Sequence, residues 1–190
     1  MLNIVLFGPP GAGKGTQALL LARKFNLIHL STGDLLRQEI AAKTEMGRSA
    51  DEIISHGELV PDAMVIDMIE SKLKAPKTTV GIIFDGFPRT VPQARALDEL
   101  LHKHKRKVSA MLCLEVEKEE LIERILKRGL TSGRCDDMDA ATIENRIHVY
   151  IEKTSPIIDY YASQGKYYPI KGVGSIDEIT ERLRLAIENL

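Results

Sequence analysis

Short, nearly continuous apolar runs alternate along this chain with longer stretches whose apolar positions recur every three or four residues. The first pattern suits a strand buried on both faces and the second an amphipathic helix. On that basis residues 2–7 (LNIVLF), 27–30, 82–85, 109–116 and 167–170 read as strands. Residues 14–25, 34–42, 47–55, 62–74, 92–102, 118–127, 139–162 and 176–189 read as helices. Asp62 stands at the start of one helix. Thr90 is placed near the cap of another, with Pro92 early in its first turn. The longest helix is expected to bend near Pro156.

Buried strands in regular alternation with helices predict an α/β fold, a parallel five-stranded sheet with helices on both faces. Ligands of such sheets bind beyond the carboxyl ends of the strands. Two stretches break the rhythm. Residues 31–60 hold two short helices where one crossover would serve, and residues 129–138 (GLTSGRCDDM) read as a loop between helices. Both are candidates for pieces that move over a site.

Composition narrows the class. At 190 residues, one domain is expected. Apolar residues make up 44% and charged residues 28%, which excludes disordered and fibrous chains. Lys plus Arg number 26 and Asp plus Glu 27, a net charge of −1. That balance argues against a globally basic nucleic-acid binder and leaves room for a local cationic cleft. The basic run from His102 to Lys107 fits the solvated end of a helix better than a nucleic-acid patch. No apolar run approaches the roughly 18–20 residues of a membrane helix. The N-terminus lacks the positive region of a secretory signal. The two cysteines, Cys113 and Cys135, make neither a disulfide framework nor a four-thiolate zinc site, so a reducing cytoplasm fits best. Cys113, in an apolar run, is expected to be buried and inert. The five histidines show no metal-ligand spacing, and none is assigned to metal or catalysis.

The chemistry starts at residues 8–16, GPPGAGKGT, between the first strand and the first helix. Glycines there let backbone N–H groups turn toward an anion, and the helix N-terminus adds partial positive charge. Lys14 can reach the outer phosphates of a nucleotide. Gly15 occupies the place where most such loops carry the Ser or Thr that ligates Mg²⁺, and Thr16 follows one residue late. Asp85, at the end of a buried strand, is the candidate for holding hydrated Mg²⁺. A helix cap or turn former is the other reading of Asp85.

Further motifs follow in order: STGDLLR at 31–37, ELVPD at 58–62, FDGFPRT at 84–90, ERILKRG at 123–129, GRCDD at 133–137, Arg146 within NRI, and PIIDYY at 156–161. With the phosphate loop, these make nearly the whole chain resemble the adenylate kinase family of nucleoside monophosphate kinases. The resemblance implies a P-loop NTPase-like three-layer fold and reversible, Mg²⁺-dependent phosphoryl transfer from ATP to AMP, giving two ADP. It divides a single domain into a core (1–30, 61–128 and 139–190), an AMP-binding insert (31–60) and a short lid (129–138). A lid of that length with one cysteine excludes a structural zinc.

The resemblance also implies residue roles. Gly11, Ala12, Gly13, Lys14, Gly15, Thr16, Arg128 and Gly174 would bind ATP. Thr32, Arg37, Gly86, Phe87, Pro88, Arg89, Gln93, Arg134, Arg146 and the backbone of Glu58, Leu59 and Val60 would bind AMP. Lys14, Arg89, Arg124, Arg128, Arg134 and Arg146 would carry catalysis, as cations against the charge on the moving group. Arg124 and Arg128, four apart, share a helical face. The stretch between Arg134 and Arg146 is one residue longer than the family's usual spacing. Thr32 could also cap the helix beginning near Asp34, and Gly174 could be a plain turn glycine. Thr32 favours AMP, because the related UMP/CMP kinases look like SAGDLLR at this point; such a kinase is the nearest alternative. A regulatory protein that binds ATP without turnover is another, and it would gain little from so many arginines. A monomer with no nucleic-acid or membrane partner completes the expectation.

Overall fold

A computed structural model of the chain describes residues 1–74, 80–132, 135–137 and 139–190. All five residues of the first strand, β1 (Asn3–Phe7), are buried. Its side chains alternate between faces. Ile4 and Leu6 pack with α1 (Lys14–Phe25) and the terminal helix, through Ala18, Leu21, Ile179 and Leu183. Val5 and Phe7 face the opposite layer, which holds Leu36, Ile69, Leu97, Ile157 and Tyr161. A strand covered on both sides needs a continuous apolar run rather than alternation, which is why its sequence reads as it does.

The other strands are β2 (Ile28–Ser31), β3 (Ile82–Asp85), β4 (Ala110–Glu115) and β5 (Tyr167–Lys171). All pair in parallel in the order β2-β3-β1-β4-β5. The chain runs from β1 out to β2 and back through β3, then crosses β1 to β4. The connections therefore diverge at the carboxyl end of β1, where open α/β sheets build their ligand crevice. In register there, Leu6 pairs with Asp85 and Phe7 with Cys113.

Between β2 and β3 lie α2 (Thr32–Ala41), α3 (Glu45–Ser55) and α4 (Asp62–Leu73). Ser31, not Thr32, caps α2: its hydroxyl accepts from Asp34 N. Helix α5 (Val91–Lys103) follows β3, capped by Thr90, whose hydroxyl accepts from Gln93 N, with Pro92 in the first turn. After β4 come α6 (Lys118–Ser132), a 3₁₀ turn (Cys135–Asp137), α7 (Ala140–Val149), α8 (Ile157–Ala162) and, beyond β5, α9 (Ile176–Glu188).

Two expectations are corrected. The loop expected from residue 129 is helical as far as Ser132, with Leu130 87% exposed. Gly129 does not end α6; it lets the 3₁₀ turn lie directly on the helix, since a Cβ at this position would stand 2.6 Å from the Asp137 carbonyl oxygen. The single helix expected over 139–162 is three pieces: α7, a π turn (Tyr150–Thr154) and α8. Pro156 has no N–H to continue the ladder and its ring clashes with the preceding turn. Ahead of it the helix widens, and Ser155 N donates to Tyr150 O, five residues back. Cys113 is buried as expected, and burial pushes its thiol up to about 11.

Candidate active site

A cleft of about 570 Å³ opens over the carboxyl ends of β1 and β3. Its floor is the loop between β1 and α1. Gly11 in that loop has φ 84°, and a Cβ would lie 2.8 Å from the Leu121 carbonyl oxygen, so the loop can press against α6 only as glycine. Gly13, also at positive φ, precedes the first turn of α1, whose N–H groups have no intrahelical acceptors. The Lys14 ammonium donates to the carbonyls of Gly8 (2.6 Å) and Pro9 (2.8 Å). Burial pushes its pKa down to about 8; the Asp85 carboxylate opposes this, while Arg89, Arg128 and Arg146 add to it. An ammonium sharing one cleft with three guanidinium groups is an arrangement without benefit to a fold and of direct use to a polyanion.

Arginines from three helices and the loop after β3 form the roof and walls. Arg124 and Arg128 of α6 both line the cleft, one turn apart. Arg124 Nε donates to Glu120 Oε1 (2.9 Å) and its Nη1 to Gly172 O (3.1 Å). Arg128 makes a two-pronged bond to Asp137, Nε to Oδ2 at 2.7 Å and Nη2 to Oδ1 at 2.8 Å. Arg146 of α7 reaches the same carboxylate, Nη1 to Oδ1 at 2.5 Å, and also Asp136 at 3.0 Å. The Asp137 side chain is 0% exposed. Burial alone would raise its pKa, but Arg128 and Arg146 together hold the carboxyl below the usual range. Asp137 thus ties α6 and α7 together and aims two cations at one space.

The opposite wall comes from β2, β3 and α2. Arg37 pairs with Asp34 at 2.5 Å on the cleft-facing side of α2. Thr32 is buried, and its hydroxyl donates to Gly86 O at 2.7 Å. Arg89 is fixed from three directions: Nε donates to Gly86 O (2.8 Å), its N–H to Gln93 Oε1 (2.8 Å), and its carbonyl accepts from Thr154 Oγ1 (2.8 Å) in the π turn. Burial and the neighbouring Arg146 lower its pKa. Asp85 Oδ2 lies 3.4 Å from His29 Nε2, and a Cβ on Gly15 would be 3.5 Å from the same oxygen.

Of the residues named from sequence, Gly11, Gly13, Lys14, Gly15, Thr16, Thr32, Arg37, Glu58, Leu59, Val60, Asp85, Gly86, Arg89, Gln93, Arg124, Arg128 and Arg146 line this one cleft. Four do not. Ala12 is buried, its methyl turned into the core beneath the loop. Phe87 and Pro88 line a smaller adjoining cavity with Tyr150 and Thr154. Gly174, at φ 125°, packs against Glu178 ahead of α9 rather than on the cleft wall. Arg134 lies outside the described residues. The sequence reading missed His29, Asp62, Asp136 and Asp137. Asp136 and Asp137 stood inside a quoted motif, but only the fold shows that they hold arginines from two helices.

The donors around Asp85 fit hydrated Mg²⁺. Among the described residues no three His, Cys, Asp or Glu side chains gather into a cage. Mg²⁺ arriving with a nucleotide needs none: it keeps several waters and takes one or two carboxylates plus phosphate oxygens. Asp85 offers the carboxylate beside the phosphate loop, and Thr16 a hydroxyl on the cleft wall.

Residues 6–166 match the family model described as adenylate kinase. The chain is 50% identical over 190 residues to the adenylate kinase of Parabacteroides distasonis, covering 100% of both chains. It is likewise 50% identical over 190 residues to that of Flavobacterium psychrophilum, and 48% to that of Phocaeicola vulgatus, again over 100% of each. The phosphate loop, the five-stranded sheet and these matches agree: the chain belongs to the adenylate kinase family.

Proposed function

We infer that the chain is an ATP:AMP phosphotransferase, moving the terminal phosphoryl group of ATP to AMP and back, so that one ATP and one AMP exchange with two ADP. The observation that carries this reading is the convergence of Lys14, Arg89, Arg124, Arg128 and Arg146 on one cleft with the phosphate loop as its floor. Phosphoryl transfer needs little covalent help from protein. It needs two nucleotides in line and fixed cations where charge moves.

ATP takes the phosphate loop, its outer phosphates under Lys14 and against Arg124 and Arg128. AMP takes the wall between α2 and β3, its phosphate against Arg37 and Arg89, its base beside Thr32, Gln93 and residues 58–60. Arg146 closes on the transferring group from above; Arg134, outside the described residues, is given the same task by the motif alone. Asp85 would hold Mg²⁺ through water, and the ion supplies charge neutralisation on the donor phosphates. Asp137 keeps Arg128 and Arg146 aimed before substrate arrives, which lowers the reorganisation needed at reaction. Residues 31–60 and 129–138, of which 133, 134 and 138 lie outside the described residues, are by the family resemblance the two moving pieces, closing to exclude water that would otherwise take the phosphoryl group. Among the described residues no helix is long and apolar enough to cross a membrane. A cytoplasmic location, carried by the sparse cysteines, and a monomer, carried by the family resemblance, are the accompanying readings.

A panel of acceptors with ATP and Mg²⁺ tests the assignment. AMP is expected to exceed UMP and CMP in kcat/KM by at least about tenfold, since a pocket that hydrogen-bonds one base edge leaves polar groups unpaired with another. A rate with UMP or CMP above that with AMP would make this a pyrimidine-nucleotide kinase.

A further inference from the structure

We propose that Asp62 sets the base specificity of the acceptor site by fixing which way the Gln93 amide faces. The proposal deepens the reading above and rests on it, in that Gln93 is taken to touch the acceptor base. Gln93, in the first turn of α5, is 1% exposed and lines the cleft. Its Nε2 donates to Asp62 Oδ1 at 2.8 Å, and its Oε1 accepts from Arg89 N at 2.8 Å.

The chemistry of the partners settles the amide orientation. A carboxylate only accepts and a backbone N–H only donates. Turning the amide over would set Oε1 against the Asp62 carboxylate and Nε2 against the Arg89 N–H, both repulsive. Asp62 cannot swing away either, because its Oδ2 accepts from Thr90 Oγ1 at 2.9 Å, and Thr90 caps the helix that carries Gln93. Asp62 stands first in α4, where an acidic residue ordinarily serves the helix terminus. Here its side chain makes no cap bond, and Pro61 occupies the cap position. The carboxylate is spent on Thr90 and Gln93 instead.

The locked amide keeps one N–H and one lone pair for a ligand. Adenine presents N1, an acceptor, beside N6, a donor, and matches an amide that offers both. Hypoxanthine presents the reverse along the same edge, a donor at N1 and an acceptor at O6. A free glutamine would rotate by 180° and accept either base. Fixed by Asp62 and Arg89 N, it accepts adenine and opposes a 6-oxopurine, which is specificity gained by repulsion of the wrong partner. Asp62 does not line the cleft, so it is a positioning residue acting through Gln93.

AMP and IMP differ only along this edge, so their kcat/KM ratio is the readout. In Asp62→Asn the new amide can donate to a turned-over Gln93 and still bond Thr90, so that of the two repulsions holding the amide only the one with Arg89 N–H remains. The preference for AMP over IMP is expected to fall about tenfold, the size of one well-placed hydrogen bond to a base edge. The fall comes mainly from faster turnover of IMP. Asp62→Ala, which removes the acceptor without adding a donor, should move the ratio in the same direction and serves where the asparagine variant folds poorly. A merely structural role for Asp62 would slow both substrates alike and leave the ratio in place. Gln93→Leu separates the two levels of the argument. If Gln93→Leu collapses the ratio while both Asp62 variants keep it within twofold, the lock is wrong and the reading of Gln93 stands. If Gln93→Leu leaves the ratio unchanged, Gln93 does not read the base and the proposal falls with that reading.

Discussion

Lys14→Met should lower kcat by two to three orders of magnitude, the loss expected for one preorganised charge donor, about 3–4 kcal/mol. Met matches the unbranched stem of Lys and removes only the ammonium. The KM for ATP should change far less than kcat, because in the proposed arrangement the loop N–H groups and Arg124 would still hold the donor phosphates. The same ammonium explains an expected pH profile. Its pKa of about 8 is below the ordinary 10.5 because burial and three nearby arginines disfavour the charged form. The cation is therefore present below about pH 8 and lost above it, and kcat/KM, which reports the free enzyme, should fall as pH rises through about 8. Stability moves the other way. A basic group whose folded pKa is depressed costs stability wherever it is charged in the fold, and that cost fades as pH rises from about 8 toward 10.5. Lys14→Met should thus keep or raise the melting temperature at pH 7 while abolishing most turnover. A variant with near-normal kcat would remove Lys14 from the mechanism.

Asp137→Ala should be the costliest substitution for the fold among the site's neighbours. It strips the shared carboxylate from Arg128 and Arg146, two neighbouring cations, and leaves Arg146 its pair with Asp136. Removing one partner of a buried ion pair costs about 3–5 kcal/mol, and partial exposure of both arginines brings the expectation to about 2–4 kcal/mol. For a chain of this length that is a fall in melting temperature of roughly 4–16 °C by calorimetry. Its kcat should fall too, by at least tenfold, since both cations lose their aim. Asp137→Asn keeps the shape and loses the charge, so its effect should lie between. The sign of the pH dependence is fixed by the depressed carboxyl pKa: the contribution is present above the ordinary aspartate range and is lost as pH falls through the lower folded value. The stability difference between wild type and Asp137→Ala should therefore shrink in acid. Equal melting temperatures at pH 7 would show that the shared carboxylate does not tie α6 to α7.

What could be read from sequence divides along the range of the interaction. β1 was legible because a strand covered on both faces must be apolar throughout, and the glycines and Lys14 after it have a local purpose. The five strands, their parallel pairing and the cleft at their carboxyl ends follow from the same alternation. Thr90 and Pro92 marked the start of α5 because capping is chemistry within one turn. Gly129 misled, because a glycine that ends a helix and one that admits a neighbouring backbone look alike in sequence. The π turn was invisible, since its cause, Pro156, announced a bend without saying where the ladder would widen. The roles of His29, Asp62 and Asp137 were unread for another reason. Each acts through a partner distant in the chain or across a turn: Asp85 for His29, Thr90 and Gln93 for Asp62, Arg128 and Arg146 for Asp137. A carboxylate's partners are decided by the fold, and no local pattern records them.

Lys14, Arg37, Arg89, Arg124, Arg128 and Arg146 line one cleft of a chain with net charge −1, where a polyphosphate would neutralise them. In the proposed function this cleft transfers a phosphoryl group between two nucleotides. The most direct test follows phosphorus resonances of ATP and AMP mixed with the protein and Mg²⁺. Both are expected to disappear in equal amounts as twice as much ADP forms, and ADP alone to regenerate both. Nucleotides that bind but persist unchanged would make the cleft a binding site and not a catalyst.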